Sequence, residues 1–144
     1  FFAHEPVMAM LSYSNFGSDK QGSPLKVHEA IDFLHKTYPD MVVDGEMQVN
    51  FALDKKLRDD MYPFNKLKGQ DVNTLIFPNL SSANSAYKLL DTLGITETIG
   101  PIQMGLNKPI HFTDVESSTR DIVNLTTVAV VDAIVQEQIE KENR

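Results

Sequence analysis

One feature constrains the fold of this chain more than any other. It is a strand-like apolar run that leads through a polar loop into a helical pattern. Residues 7–11 are apolar and bounded by turn residues, as in a buried strand. After the loop 12–18, Ser23 is a suitable N-cap and Pro24 a suitable first residue for a helix over 25–38. Such loops present free backbone N–H groups to anions, although the spacing alone favours a plain connection that binds nothing.

Strand and helix patterns alternate along the rest of the chain. The sequence predicts further strands at 41–43, 74–77, 99–104 and 109–112, and further helices at 49–61, from Ser81 or Ser82 to Gly94, and at 119–140. This order predicts an α/β domain with a mostly parallel sheet flanked by helices. The sequence contains neither the glycine-rich signature of dinucleotide-binding loops nor that of Walker loops.

The composition excludes several partners and chemistries. The chain has 144 residues, a formal net charge of −7 and three arginines, which argues against nucleic acid as a partner. The absence of cysteine excludes disulfides and thiol nucleophiles, and it fits a cytoplasmic protein. No apolar run approaches the ~20 residues of a membrane span, since the longest, 128–135, is interrupted by Asp132. His28 and His35 are two helical turns apart, so no metal site is predicted.

Four blocks of sequence together resemble one known family. The blocks are 7–18, 43–48, 75–88 and 100–109. In this order they resemble the phosphate acetyltransferase module. Asn15-Phe16 and Tyr62-Pro63-Phe64 look like the variant fused behind the catalytic part of bacterial NADP-dependent malic enzymes, because stand-alone acetyltransferases typically carry Ser-Thr-Lys-Gly-Ser where 14–18 stand here.

The resemblance implies a two-lobed α/β module whose cleft holds coenzyme A or acetyl-CoA. This chain would be its second half: a linker at 1–6, an α/β lobe at 7–113 and the terminal helix at 114–144. From 122 to 135 that helix is apolar on nearly every face, which calls for burial all round. On pattern alone it could equally be the core helix of a self-contained domain. The resemblance favours docking against missing structure or a second subunit, and the lack of an initiator Met suggests a piece of a longer chain.

The resemblance also implies the residues that contact acetyl-CoA. They are Ser12, Ser14, Asn15, Asn79, Asn84, Lys108, Arg120 and Asp121. Lys108 and Arg120 are the cationic contacts expected for its phosphates. Asp121, three residues after Ser118, also fits a capping box that needs no ligand. Glu46 is expected to be an ordinary solvated carboxylate.

These features predict a regulatory module that also assembles the homo-oligomer. Acetyl-CoA would bind in the cleft and inhibit oxidative decarboxylation of malate by a catalytic domain outside this chain, where NADP and a divalent metal are implied. The alternatives are an active phosphate acetyltransferase and an assembly module without a ligand. Active relatives follow the Lys-Pro turn with Ser-Arg-Gly, and those positions here are Asp114, Val115 and Glu116. The lost arginine predicts an inactive module, unless Arg120 replaces it.

Overall fold

The computed structural model describes residues 4–95 and 97–142. They form two compact units, His4–Leu89 and the residues from Leu90 onward. The sequence prediction divides the chain elsewhere, between the lobe at 7–113 and the helix at 114–144. Residues 1–3 of the expected linker and the last two residues of the expected helix segment lie outside the described residues.

The first unit is built on a three-stranded parallel sheet. The elements of the chain are β1 (Met8–Leu11), α1 (Gly22–Thr37), β2 (Val43–Met47), α2 (Val49–Leu53), α3 (Lys55–Met61), β3 (Thr74–Ile76), α4 (Leu80–Leu93) and α5 (Thr119–Glu142). The strand order is β2-β1-β3, and β1 pairs in parallel with both neighbours. Parallel neighbours require crossover connections, which α1 and the α2–α3 segment supply. The predicted α/β class with a parallel sheet is confirmed.

The core of this unit lies on both faces of the sheet. Five buried residues form one apolar cluster: Ala9, Leu11, Met47, Ala52 and Leu67. On α1, Val27 and Ile31 are buried one helical turn apart, and this helix packs against β2. Burial of these side chains holds the strands in register, so the ends of the strands are fixed relative to one another.

Local details of the first unit differ from the sequence prediction. The helix α1 begins at Gly22 after Gln21, and its N-cap side chain makes no capping hydrogen bond, so the assignment of Ser23 as N-cap was wrong. The strand β2 continues through Gly45 to Met47 instead of ending at Asp44-Gly45. The single helix expected at 49–61 is divided at Asp54, whose carboxylate accepts a hydrogen bond from the N–H of Leu57 at 2.9 Å and starts α3.

The two strands expected at 99–104 and 109–112 are absent from the described part of the second unit, so this prediction was wrong. Gly100 and Gly105 have φ values of +140° and +82°, which interrupt extended backbone on both sides of the first candidate. An apolar pattern becomes a strand only where a neighbouring strand accepts its hydrogen bonds.

The helix α5 exposes most of its apolar side chains. Only Leu125 is buried among its described residues. Those exposed are Ile122, Val123, Val130, Val131, Ile134 and Ile139. With 24 residues and a window of mean hydropathy 1.3, α5 is long and apolar enough to cross a membrane, which the run-length prediction did not anticipate. One such helix is weak evidence of a span, because the core helix of a soluble protein passes the same test.

Candidate functional site

The carboxyl ends of the three strands open onto a groove in the first unit. Ser12 directly follows β1, Gln48 follows β2 and Phe77 follows β3. The groove has a volume of about 660 Å³ and is lined by Leu11, Ser12, Tyr13, Ser23, Gln48, Val49, Asn50, Phe77, Pro78, Asn79 and Ser82. Open parallel sheets bind ligands at this edge, and the volume lies in the range of small-molecule sites.

The loop 12–18 is fastened to the end of β2. The N–H of Ser12 donates to the carbonyl of Met47 at 2.9 Å, and the N–H of Phe16 donates to the carbonyl of Glu46 at 2.7 Å. Phe16 and Gly17 both have left-handed φ values, +45° and +80°. Backbone N–H groups in such a turn can line a concavity that accepts an anion.

The acceptor inside that concavity is the carboxylate of Glu46. It is completely buried, and its Oε1 accepts hydrogen bonds from the N–H of Gly17 at 2.6 Å and from the hydroxyl of Ser14 at 3.1 Å. Its Oε2 lies 3.2 Å from Nδ1 of His28. The expectation of a solvated carboxylate was wrong. The partners that allow Glu46 to be buried lie 18 to 32 residues earlier in the chain, so its local sequence does not reveal them. The anion in this loop belongs to the protein itself.

A β-bulge aims Glu46 at the loop. Along the β1–β2 pair, Met10 faces Gly45 and Leu11 faces Met47, which leaves Glu46 as the extra residue of β2. The side chain of a bulge residue departs from the regular alternation along the strand and points in a different direction. The sheet irregularity therefore places the carboxylate beneath the loop.

Two of the candidate ligand residues are engaged in shaping the loop. Ser14 is buried, and its hydroxyl bonds to Glu46, to the hydroxyl of Ser18 at 2.8 Å and to the N–H of Asp19 at 3.0 Å. The Oδ1 of Asn15 accepts a hydrogen bond from the N–H of Gln48 at 2.8 Å. These bonds join the end of β1 to the end of β2.

An aromatic cluster packs around Phe16. Its ring centroid lies 4.7 Å from that of Tyr62 and 5.3 Å from that of Phe64, and Phe51 also contacts Tyr62 at 5.2 Å. The two sequence motifs that resemble malic enzymes more than stand-alone acetyltransferases are therefore in direct contact. Edge-to-face pairs of this kind stabilise a fold by about 0.5–1.5 kcal/mol each.

Asn79 and Asn84 occupy different parts of α4. The Oδ1 of Asn79 accepts a hydrogen bond from the N–H of Ser82 at 2.9 Å, so Asn79 caps the helix in place of the predicted Ser81 or Ser82. Asn79 also lines the groove together with Ser12. Asn84 is exposed further along the helix. Of the five candidates in the first unit, the structure thus brings Ser12 and Asn79 to the groove.

The remaining three candidates lie in the second unit. Nζ of Lys108 lies 3.6 Å from Oε1 of Glu140, and Arg120 forms an ion pair with Glu97. Asp121 and Ser118 form the predicted capping box, with the N–H of Ser118 donating to Oδ2 of Asp121 at 2.9 Å. The hydroxyl and N–H of Ser118 hold the pKa of Asp121 below its usual range.

Sequence reasoning missed two buried charged residues. Arg58 is fully buried and donates to the carbonyls of Ala52 at 3.2 Å, Leu67 at 3.0 Å and Gln70 at 2.6 Å. Asp44 on β2 is also buried, and its Oδ2 accepts the N–H of Lys66 at 2.6 Å. Arg58 lies between Leu57 and Asp59 in a helix rich in charged residues, a pattern that does not distinguish a buried arginine from a surface one.

Comparisons with known proteins show the family of this chain. The profile of phosphate acetyl/butaryl transferases matches residues 1–130. The chain is 40% identical to an NADP-dependent malic enzyme of Salmonella typhimurium over 92% of this chain and 17% of that enzyme. It is 38% identical to a phosphate acetyltransferase of Clostridium acetobutylicum over 90% of this chain and 38% of that enzyme. It therefore spans less than half the length of either relative.

A solved structure shows the same fold. A phosphotransacetylase from Streptococcus pyogenes superimposes with a TM-score of 0.81 at 38% identity, over 91% of this chain and 40% of that protein. The match extends over nearly the whole chain, as the family profile does. The resemblance predicted from the four sequence blocks is confirmed, and the chain belongs to the phosphate acetyl/butaryl transferase family.

Proposed function

We propose that this chain is the regulatory and oligomerisation module of a malic enzyme. It binds acetyl-CoA and thereby inhibits oxidative decarboxylation of malate by a catalytic domain elsewhere in the protein. The observation that supports this proposal most directly is the groove at the carboxyl edge of the sheet, in a chain similar to a malic enzyme over 92% of its length. The proposed location is the cytoplasm.

The groove suits the pantetheine arm of acetyl-CoA. Ser12, Gln48 and Asn79 offer a hydroxyl and two amides beside the apolar side chains of Leu11 and Phe77. An amide-containing apolar chain matches such a mixed surface. In this proposal Ser14 and Asn15 act through the shape of the loop, and Asn84 is a contact from the exposed side of α4.

The cationic contacts proposed for the phosphates of acetyl-CoA are those that the family resemblance implies. No Lys or Arg lines the groove in the described part of the chain. Lys108 and Arg120 are the proposed phosphate contacts, and each now neighbours a glutamate. Asp121 serves by fixing the start of α5 through its capping box. A phosphate would have to compete with Glu97 and Glu140 for these cations.

The module is proposed to be catalytically inactive. Asp114, Val115 and Glu116 are all exposed at the positions where active relatives carry Ser-Arg-Gly. Two carboxylates there repel a phosphate nucleophile, and the loss of one positive electrostatic group costs on the order of 10²–10³ in rate. The competing function, an active phosphate acetyltransferase, is favoured by the likeness to the phosphotransacetylase structure.

The metal and NADP of malate oxidation are assigned to the catalytic domain. Within residues 4–95 and 97–142, no three His, Asp or Glu side chains are grouped closely enough to hold a metal ion. Homo-oligomers are proposed to form through the exposed apolar side chains of α5.

Three measurements on the intact protein test the proposal. Calorimetric titration with acetyl-CoA, with desulfo-CoA as control ligand, should give saturable binding, and malate-dependent reduction of NADP should fall as acetyl-CoA is added. Acetyl phosphate formation from acetyl-CoA and phosphate should stay at background. Robust acetyl phosphate formation would replace the regulatory function by the enzymatic one. Absence of binding would leave the assembly module without a ligand.

A further inference from the structure

Glu46 connects the loop to the groove through a short chain of hydrogen bonds. Its Oε1 holds the hydroxyl of Ser14, and the N–H of Ser14 donates to the hydroxyl of Ser12 at 3.4 Å. Ser12 lines the groove, whereas Glu46 is completely buried and Ser14 nearly so. The carboxylate is therefore linked to Ser12 through one intermediate residue, Ser14, and does not itself line the groove.

The same strand carries a second buried carboxylate with a different task. Asp44 accepts a hydrogen bond at 2.6 Å from the N–H of Lys66, and Glu46 accepts one at 2.6 Å from the N–H of Gly17. Asp44 holds the segment that follows α3, and Glu46 holds the loop that follows β1. The two residues are thus matched in charge, strand and burial but hold different segments.

We propose that Glu46 is the positioning residue of the groove: its negative charge fixes the loop 12–18, and through Ser14 it fixes Ser12, which lines the groove. The identity of the ligand as acetyl-CoA rests on the function proposed above. Charge matters as well as shape because a carboxylate makes hydrogen bonds about twice as strong as a neutral acceptor does. Glutamine in its place keeps the volume and one acceptor oxygen, so the loop loosens without a cavity.

The test compares Glu46→Gln with the matched variant Asp44→Asn in the intact protein. Hydrogen–deuterium exchange read by mass spectrometry follows peptides covering 12–19 and 62–70, and calorimetry follows acetyl-CoA. We expect Glu46→Gln to speed exchange in 12–19 and to weaken acetyl-CoA binding about tenfold, the scale of one charged hydrogen bond. Asp44→Asn should speed exchange in 62–70 and leave acetyl-CoA affinity unchanged.

The outcomes separate this inference from the proposed function. Wild-type affinity and exchange in Glu46→Gln would overturn it, and so would equal losses of affinity in the two variants, because a general loss of stability would then suffice. If the wild-type protein binds no acetyl-CoA, the proposed function fails. The positioning role of Glu46 is then tested by the exchange data alone. Faster exchange in 12–19 for Glu46→Gln but not for Asp44→Asn then supports the positioning role, and unchanged exchange overturns it.

Discussion

Gly45 faces the carbonyl oxygen of Met10 so closely that a Cβ atom at position 45 would lie 2.5 Å from that oxygen. The two residues are partners in the parallel pair of β1 and β2, immediately before the bulge that contains Glu46. Gly45 has a φ of +146°, a conformation that residues with side chains rarely adopt. The absence of a side chain here lets the strands approach where the bulge begins.

The first prediction concerns this contact. Gly45→Ala should destabilise the protein by at least about 3 kcal/mol, because backbone strain of ~1–3 kcal/mol is joined by a clash with an immobile carbonyl. Urea unfolding measures the change. Gly69→Ala is the control, since Gly69 has a φ of +76° but nothing within 4 Å of the added Cβ, and it should cost only about 1 kcal/mol. Equal effects of the two variants would contradict the close approach.

The second prediction concerns Arg58. Arg58→Met removes the donor to three carbonyls and the partner of Asp59. It should lower the free energy of unfolding by about 3–5 kcal/mol, because the carbonyls of Ala52 and Gln70 lose this donor, although that of Leu67 keeps the N–H of Gln70. Lys56→Met on the same helix removes an exposed ion pair with Asp60 and should change it by less than about 0.5 kcal/mol. Chemical denaturation of both variants checks this, and a loss below about 1 kcal/mol for Arg58→Met would count against the network.

The third prediction concerns acid stability. The N–H of Gly69, at 2.8 Å, is the largest of the influences that lower the pKa of Asp59 from 3.8. A depressed folded pKa means that this stabilisation is present above pH ~4 and is lost as the pH falls through the folded value. Asp59→Asn should therefore flatten the dependence of unfolding midpoint on pH below about 4. A slope in Asp59→Asn equal to that of the wild type would refute the assignment.

The fourth prediction concerns the phosphates of acetyl-CoA. Lys108→Glu should weaken acetyl-CoA binding to the intact protein about tenfold, ~1.4 kcal/mol, because a charged contact becomes repulsive. Lys141→Glu reverses the charge of another exposed lysine, which pairs with Glu137 on α5, and should have no effect. Calorimetry distinguishes the cases. Equal affinity of Lys108→Glu and wild type would remove Lys108 from the site.

The fifth prediction concerns α5. Val123→Glu and Val130→Glu each place a charge on an exposed apolar position, and these positions share a helix face because they are seven residues apart. Light scattering after size exclusion should show a smaller assembly for each variant. Gln138→Glu, also exposed on α5, should keep the wild-type mass. Unchanged mass in all three variants would exclude this face as the interface.

Elements with a strong local pattern were predictable, and those that depend on distant partners were not. The periodic apolar residues of α4 and α5 and the run at β1 identified these elements from sequence. Asp44-Gly45 resembles a turn locally, yet β2 continues through it because β1 supplies the pairing. Among the described residues, the short apolar runs near Ile102 and Ile110 form no strand and belong to no sheet.

In the candidate site, too, local features were predictable from the sequence and long-range contacts were not. Ser12 and Asn79 were identifiable because both follow strands in blocks that resemble a known family. The buried state of Glu46 was not, since the residues it binds are 29 and 32 positions earlier in the chain. Residue type and spacing do not predict contacts across such separations. The capping box of Ser118 and Asp121 joins residues three apart and was predicted.

The carboxylate of Glu46 also affects which anions the loop 12–18 can bind. Phe16, Gly17 and Asp19 direct their N–H groups to acceptors within the fold. These three amides are therefore already hydrogen-bonded. To bind the N–H of Gly17, free phosphate or sulfate would have to displace the carboxylate of Glu46, which belongs to the same chain. We therefore expect free phosphate and sulfate at cellular concentrations to leave the loop 12–18 unchanged.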